Sequence, residues 1–328
     1  MMRLAAIASV LVTIVLTACG GQKNSTPVQV SASVERPAFD TDSAMAYLYA
    51  QTLFGPRVPG TEAHRLCGDY LASTLRRLGA DTVIEQHVVA TAWNGDRLPL
   101  RNILARFNRQ DGVAPILLVA HWDSRPWADS ETDPDRASRP IDGANDGASG
   151  VAVLLEIARQ AQAHGTLAPL DILLVDGEDY GARGDEGDEA SWCLGTQEWL
   201  KSDPYSGVRT PRYALLLDMV GGRGARFHRE RLSEAYAPAI VDMVWNAAAK
   251  LGLSDRFVNS AGGAVVDDHL FINRAGIPAV DIIESINPAT GSFNPTWHTL
   301  DDTYENIDPA ALTDAGLLVS HLTIKANN

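Results

Sequence analysis

Three things are scarce in this 328-residue chain, and each scarcity excludes a class of protein. Cysteine occurs only three times, so no disulfide framework of the small-scaffold kind is present. Basic residues number 27 against 41 acidic ones, a formal charge of -14, which argues against a phosphate-backbone partner; nucleic acid is excluded as a ligand. Long hydrophobic runs are missing too. The only candidate, Leu4 to Ala18, is too short for a comfortable membrane span. No internal repeat is visible, and the Gly and Pro punctuation marks turns within one domain.

What is present begins with a targeting segment. Arg3 gives a positive start, the apolar stretch follows, and Leu16-Thr-Ala-Cys19 places a cysteine directly after small residues. The string resembles a bacterial lipoprotein signal, which implies cleavage before Cys19, a lipid on that residue, and an exported chain held at a membrane facing the periplasm or cell surface. An ordinary secretory signal cut nearby would export the chain as well. Residues 19–36 read as a flexible tether rich in small and polar residues, and residues 37–328 as the catalytic domain. Cys67 and Cys193 fall in different elements and are expected to be two separate buried thiols.

The domain alternates between helical and strand periodicity, the mark of a single α/β domain with a central, mixed but mostly parallel twisted sheet flanked by helices. The spacing predicts helices over Thr41–Phe54, Thr61–Leu78, Gly150–Ala163, Tyr236–Leu251 and Pro309–Ile324. Strand patterns run over Thr82–Val89, Asn102–Phe107, Pro115–Ala120, Leu170–Val175, Tyr213–Leu217 and Ala279–Ile283. Two long polar loops, Trp127–Pro140 and Arg183–Ser191, follow site strands and are expected to rim a cleft.

Five positions carry the chemistry, four of them expected just after an apolar strand: His121 with Asp123, Asp146, Glu178 with Asp179, Asp218, and His298. Open α/β sheets build sites outside the carboxyl ends of their strands, so these distant positions can meet in one pocket. A pocket of carboxylates and imidazoles is zinc chemistry. Singly, each is more commonly an ordinary hydrogen-bonding residue; the conjunction carries the argument. Adjacent Glu178 and Asp179 after a buried strand repel each other unless a cation or proton lies between them, so one serves best as ligand and the other as base.

His121-Trp-Asp-Ser124, Asn145-Asp-Gly-Ala-Ser-Gly150, Asp176-Gly-Glu-Asp179, Leu217-Asp-Met219 and Trp297-His-Thr299 together resemble the zinc aminopeptidase clan, and within it the animal-type glutaminyl-peptide cyclotransferases with their bacterial relatives. Trp192-Cys-Leu-Gly-Thr-Gln197, Asp267-Asp-His269 and Phe293 strengthen the likeness, which runs from about Ala46 to Ile324. The resemblance implies one zinc held by Asp146, Asp179 and His298, with Glu178 as general acid and base. It implies that Asp218 and Asp267 hydrogen-bond around the reacting amine and that Trp192, Phe293 and Trp297 wall the side-chain pocket. Asp179 departs from the animal pattern, which has Glu there, and Asp281 stands where those enzymes carry histidine, so that residue's role does not transfer. The implied reaction converts an N-terminal Gln of a peptide or protein to pyroglutamate with release of ammonia. The alternative is an aminopeptidase, in which His121 and Asp218 would help hold a second zinc; a non-catalytic binding protein would have no reason to keep Glu178 beside three ligands.

Overall fold

The computed structural model describes residues 39–183 and 189–325. The expected leader at 1–18, Cys19, the whole 19–36 tether and part of the Arg183–Ser191 loop lie outside the described residues.

Two capped helices lead in. Asp40 accepts the Ser43 N–H ahead of α1 (Thr41–Thr52), and Thr61 accepts the His64 N–H ahead of α2 (Glu62–Arg77). A hairpin follows, β1 (Thr82–Thr91) and β2 (Arg97–Phe107), antiparallel throughout. Next come β3 (Ile116–His121), a single turn α3 (Pro134–Ala137), α4 (Ala148–His164), β4 (Leu170–Val175), α5 (Leu194–Lys201) and β5 (Ala214–Leu217). The last third holds β6 (Phe227–Arg229), α6 (Arg231–Tyr236), α7 (Pro238–Lys250), β7 (Phe257–Ala261), α8 (Asp268–Arg274), β8 (Ala279–Ile282) and α9 (Pro309–Thr323).

The main sheet has six strands in the order β1-β2-β4-β3-β5-β8, with β6 and β7 forming a separate parallel pair. β2 pairs antiparallel with β4, while β4, β3, β5 and β8 run parallel, so the sheet is mixed as the periodicity indicated. Every residue of β3, β4 and β5 is buried, which requires cover on both faces. One face packs under α1, α2, α4, α7 and α9; the other takes α5 and α8, with Trp199 and Ile272 among the contacts. The helix α4 comes very close to the sheet at Gly150, where a Cβ would stand 2.1 Å from the Leu217 carbonyl oxygen. Only glycine lets α4 lie this near the end of β5.

The structure corrects the helix expected over Tyr236–Leu251. α6 ends at Tyr236, Ala237 leaves helical geometry with φ -134°, and α7 starts on Pro238. Proline disfavours the helical conformation for the residue before it, yet suits the first helical position. Cys67 and Cys193 are buried and unpaired, as expected. Among the described residues no helix is long and apolar enough to cross a membrane.

Candidate active site

The chain passes from β3 through α4 to β4 on one side of β3, then returns through α5 to β5 on the other. That reversal opens a crevice beyond the carboxyl ends of these strands. His121 ends β3, Glu178 and Asp179 sit just past β4, and Asp218 follows β5 directly. Three of the five positions therefore follow a strand, not four; Asp146 precedes α4 and His298 lies in a loop.

Hydrogen bonds between distant parts of the chain hold the backbone at these positions. The Asp123 carboxylate accepts the backbone N–H groups of Glu178 and Asp179, both at 3.2 Å, and lies 3.4 Å from His121 Nδ1. Asp302 does the same for the opposite wall, accepting from the N–H groups of Asn145 at 2.7 Å and Asp146 at 3.0 Å. Asp146 is left to face two imidazoles, with Oδ1 3.1 Å from His121 Nε2 and Oδ2 3.5 Å from His298 Nε2. Asp179 Oδ1 lies 3.1 Å from His298 Nε2, and Asp218 Oδ1 lies 3.1 Å from His121 Nε2. Cys193, Met219 and His298 all adopt left-handed backbone (φ 56°, 49° and 55°) although none is glycine. Such strain persists where the surroundings dictate it, and it gathers at functional sites.

Asp146, Glu178, Asp179, Trp192, Asp218, Asp267, Phe293, Trp297 and His298 line one cleft of about 260 Å³. Trp192, Phe293 and Trp297 stand together in this lining. Trp297 stacks on the His298 imidazole at 3.8 Å, Trp192 lies near-parallel to it at 6.4 Å, and Phe293 packs on Trp297 at 4.6 Å. His121 is buried behind the cleft rather than in its wall.

Burial raises the Glu178 carboxyl well above its usual range, and Asp267, Asp179 and Asp268 push it further while His121 opposes them. Asp267 is likewise raised by burial, then by the neighbouring charges of Asp218 and Asp268. Burial pulls His121 down, but the carboxylates of Asp123, Asp146 and Asp218 outweigh it and hold the imidazole well above its ordinary value. So many carboxylates in one dry crevice call for a cation.

A zinc ion fits the residues present. Ligand atoms of Asp146, Asp179 and His298 lie within 4.8 Å of one another, one nitrogen and two oxygens of the kind zinc takes. Asp179 Oδ2 is buried with no hydrogen-bond partner, a state a native carboxylate seldom keeps unless an ion completes it. His121, Asp146 and Asp218 form a second cluster of the same tightness, sharing Asp146.

Sequence reasoning missed several contributors. Asp129 Oδ1 lies 3.0 Å from His298 Nδ1, yet an aspartate in a polar loop carries no signal of that contact. Asp302 and Arg125 likewise act through partners more than 50 positions away, which a local pattern does not show. The Trp127–Pro140 loop supplies Asp129 beside His298, but none of its residues is among those lining the cleft. Asp281, given no role above, lies buried with its carboxylate 3.6 Å from His269 Nδ1 and interacts with Asp267.

The model of peptidase family M28 matches residues 102–323, a span that takes in every one of these site residues. The chain belongs to that family. A solved structure of a Bacteroides thetaiotaomicron glutaminyl cyclase, bound to N-acetylhistamine, is similar to this M28 chain at 44% identity and a TM-score of 0.83, covering 87% of this chain and 97% of that one. Glutaminyl-peptide cyclotransferase from Bos taurus is 25% identical over 278 residues, 77% of this chain and 73% of its own length. Aminopeptidase YwaD from Bacillus subtilis is 26% identical over 218 residues, 64% of this chain, and this M28 chain spans only 41% of that protein's length.

Proposed function

We propose that this chain is a zinc-dependent glutaminyl-peptide cyclotransferase, converting the N-terminal Gln of peptides and proteins to pyroglutamate with release of ammonia. One observation carries the reading: the Asp146, Asp179 and His298 ligand set, the Glu178 carboxyl and the Trp192, Phe293 and Trp297 wall face the same small cleft. Asp146, Asp179 and His298 would hold one zinc ion per chain, which when bound supplies Lewis-acid polarisation of the substrate's γ-carbonyl.

In the reaction the substrate's α-amine forms a bond to the carbonyl carbon (Cδ) of its own side-chain amide, and the bond from that carbon to the amide nitrogen breaks. No external nucleophile is needed, so the protein's work is to hold a folded conformer and move one proton. Glu178 takes that proton from the attacking amine and delivers it to the departing ammonia, a shuttle suited to a carboxyl whose proton affinity burial has raised. Asp218 and Asp267 orient the amine from the cleft floor. The three aromatic rings shape the folded side chain and keep competing water out.

His121 and Asp218 act here as hydrogen-bonding neighbours rather than as holders of a second metal, the role they would take in the aminopeptidase alternative. Cys19 carries the lipid that anchors the exported chain, residues 19–36 are the tether, and residues 37–328 form the catalytic domain. Ammonia release from a synthetic Gln-initiated dipeptide tests the reading.

A further inference from the structure

Arg125, four residues past the end of β3, is the most heavily engaged cation of the site, with a side chain 1% exposed. Nη1 donates to the Asp179 carbonyl at 2.9 Å and to Asp179 Oδ1 at 3.3 Å. Nη2 donates to the Gly181 carbonyl at 3.2 Å and to Asp129 Oδ2 at 2.7 Å, while Nε donates to Asp129 Oδ1 at 3.0 Å. The guanidinium also lies over the Trp127 ring at 5.1 Å and the Trp192 ring at 5.0 Å. Trp192 in turn lies against Gly181, where a Cβ would meet the indole at 2.1 Å. Asp129 Oδ1 then stands 3.0 Å from His298 Nδ1, an ion-pair contact rather than an aligned hydrogen bond.

One planar fork thus touches a zinc ligand directly, a second through one carboxylate, and the pocket wall. We propose that Arg125 is the positioning residue of the metal centre, setting the Asp179 carboxylate and, through Asp129, the ring of His298. This rests on the zinc-dependent reading above. The reasoning is geometric. Asp179 is a short ligand with little freedom to reach, so its backbone carbonyl and carboxylate must both be fixed, and Arg125 Nη1 holds the two together. His298 needs its second nitrogen oriented, and ligating histidines commonly rely on a carboxylate for that. Asp129 is such a carboxylate, and the guanidinium bonds both of its oxygens. Lysine would place a charge there but could not supply a five-donor planar fork.

The test is zinc affinity, measured by chelator competition without substrate, for Arg125→Lys and Asp129→Asn. Each is expected to loosen zinc by about 10- to 100-fold, the usual effect of disturbing partners of metal ligands. The double variant should bind no more weakly than the worse single one, because both act through one assembly. The zinc-induced rise in Tm should shrink in step with affinity, whereas a merely structural role would lower the Tm of zinc-free and zinc-loaded protein alike. If Arg125→Lys does not fold, Asp129→Asn decides alone, since that side chain is 25% exposed and asparagine matches its shape. Folded variants binding zinc within about threefold of the parent chain overturn the proposal. Hydrolysis of Gln-initiated peptides would instead overturn the cyclase reading and leave this result standing.

Discussion

Asp218 Oδ1 stands 3.1 Å from His121 Nε2, and Asp146 Oδ1 stands equally close to the same nitrogen. His121 is therefore engaged from two sides by carboxylates, with its other nitrogen facing Asp123. On the proposed reading, Asp218→Asn keeps about one zinc per chain while turnover falls on the order of a hundredfold or more, because a group orienting the amine is lost. Metal analysis beside a turnover assay checks this. Loss of a second, activity-linked zinc in the variant would move His121 and Asp218 into the ligand set.

Glu178 and Asp179 are neighbours with divided work. Glu178→Gln preserves shape and hydrogen-bonding bulk, so the expected outcome is a folded chain that retains zinc and loses nearly all turnover. Asp179→Ala removes one of three proposed ligands and should lose zinc itself. Equal zinc content in the two purified variants contradicts the assignment.

Away from the cleft, Asp171 on β4 accepts the Tyr205 hydroxyl at 3.1 Å and lies 3.6 Å from Arg106 Nε. Burial raises its carboxyl to about 6 despite Arg106 and Tyr205. A folded value above the unfolded one means tighter proton binding in the folded chain. The associated stability is full below the usual carboxylate range and is lost as pH rises through about 6. Asp171→Asn removes that loss, so its stability relative to the parent should improve by about 1–3 kcal/mol between roughly pH 4 and pH 8. Denaturation curves at the two pH values decide it; a pH-independent difference rules it out.

Cys19→Ser should release the exported protein from the membrane fraction, because the tether that follows has no apolar run able to hold a bilayer. Unchanged membrane partition, with no acyl mass on the parent chain's N-terminal peptide, would remove the anchor from the account.

Strand-end chemistry was legible in the sequence because buried parallel strands leave continuous apolar runs, as in Ile116–His121 and Leu170–Val175, with the functional residue at or shortly after the run's end. Asp146 and His298 were found through their local strings and not through strands, and both sit in loops. β6 and β7 have three and five residues and no continuous apolar run, so periodicity could not mark them. The break between α6 and α7 was written in Pro238 but was overridden by an apolar pattern that spans it. Arg125 and Asp129 were not legible at all. Their roles depend on loops folding back across the sheet's end, and one sequence carries no trace of such long-range pairing.

The most direct test of the central claim is mass analysis of the product formed from a synthetic Gln-initiated dipeptide by the zinc-loaded protein. The account predicts a single product lighter by one ammonia, with the peptide bond intact and no free amino acid. Free glutamine together with the second amino acid, and the same stepwise release from Leu- or Ala-initiated peptides, would contradict it and assign the chain to aminopeptidase chemistry.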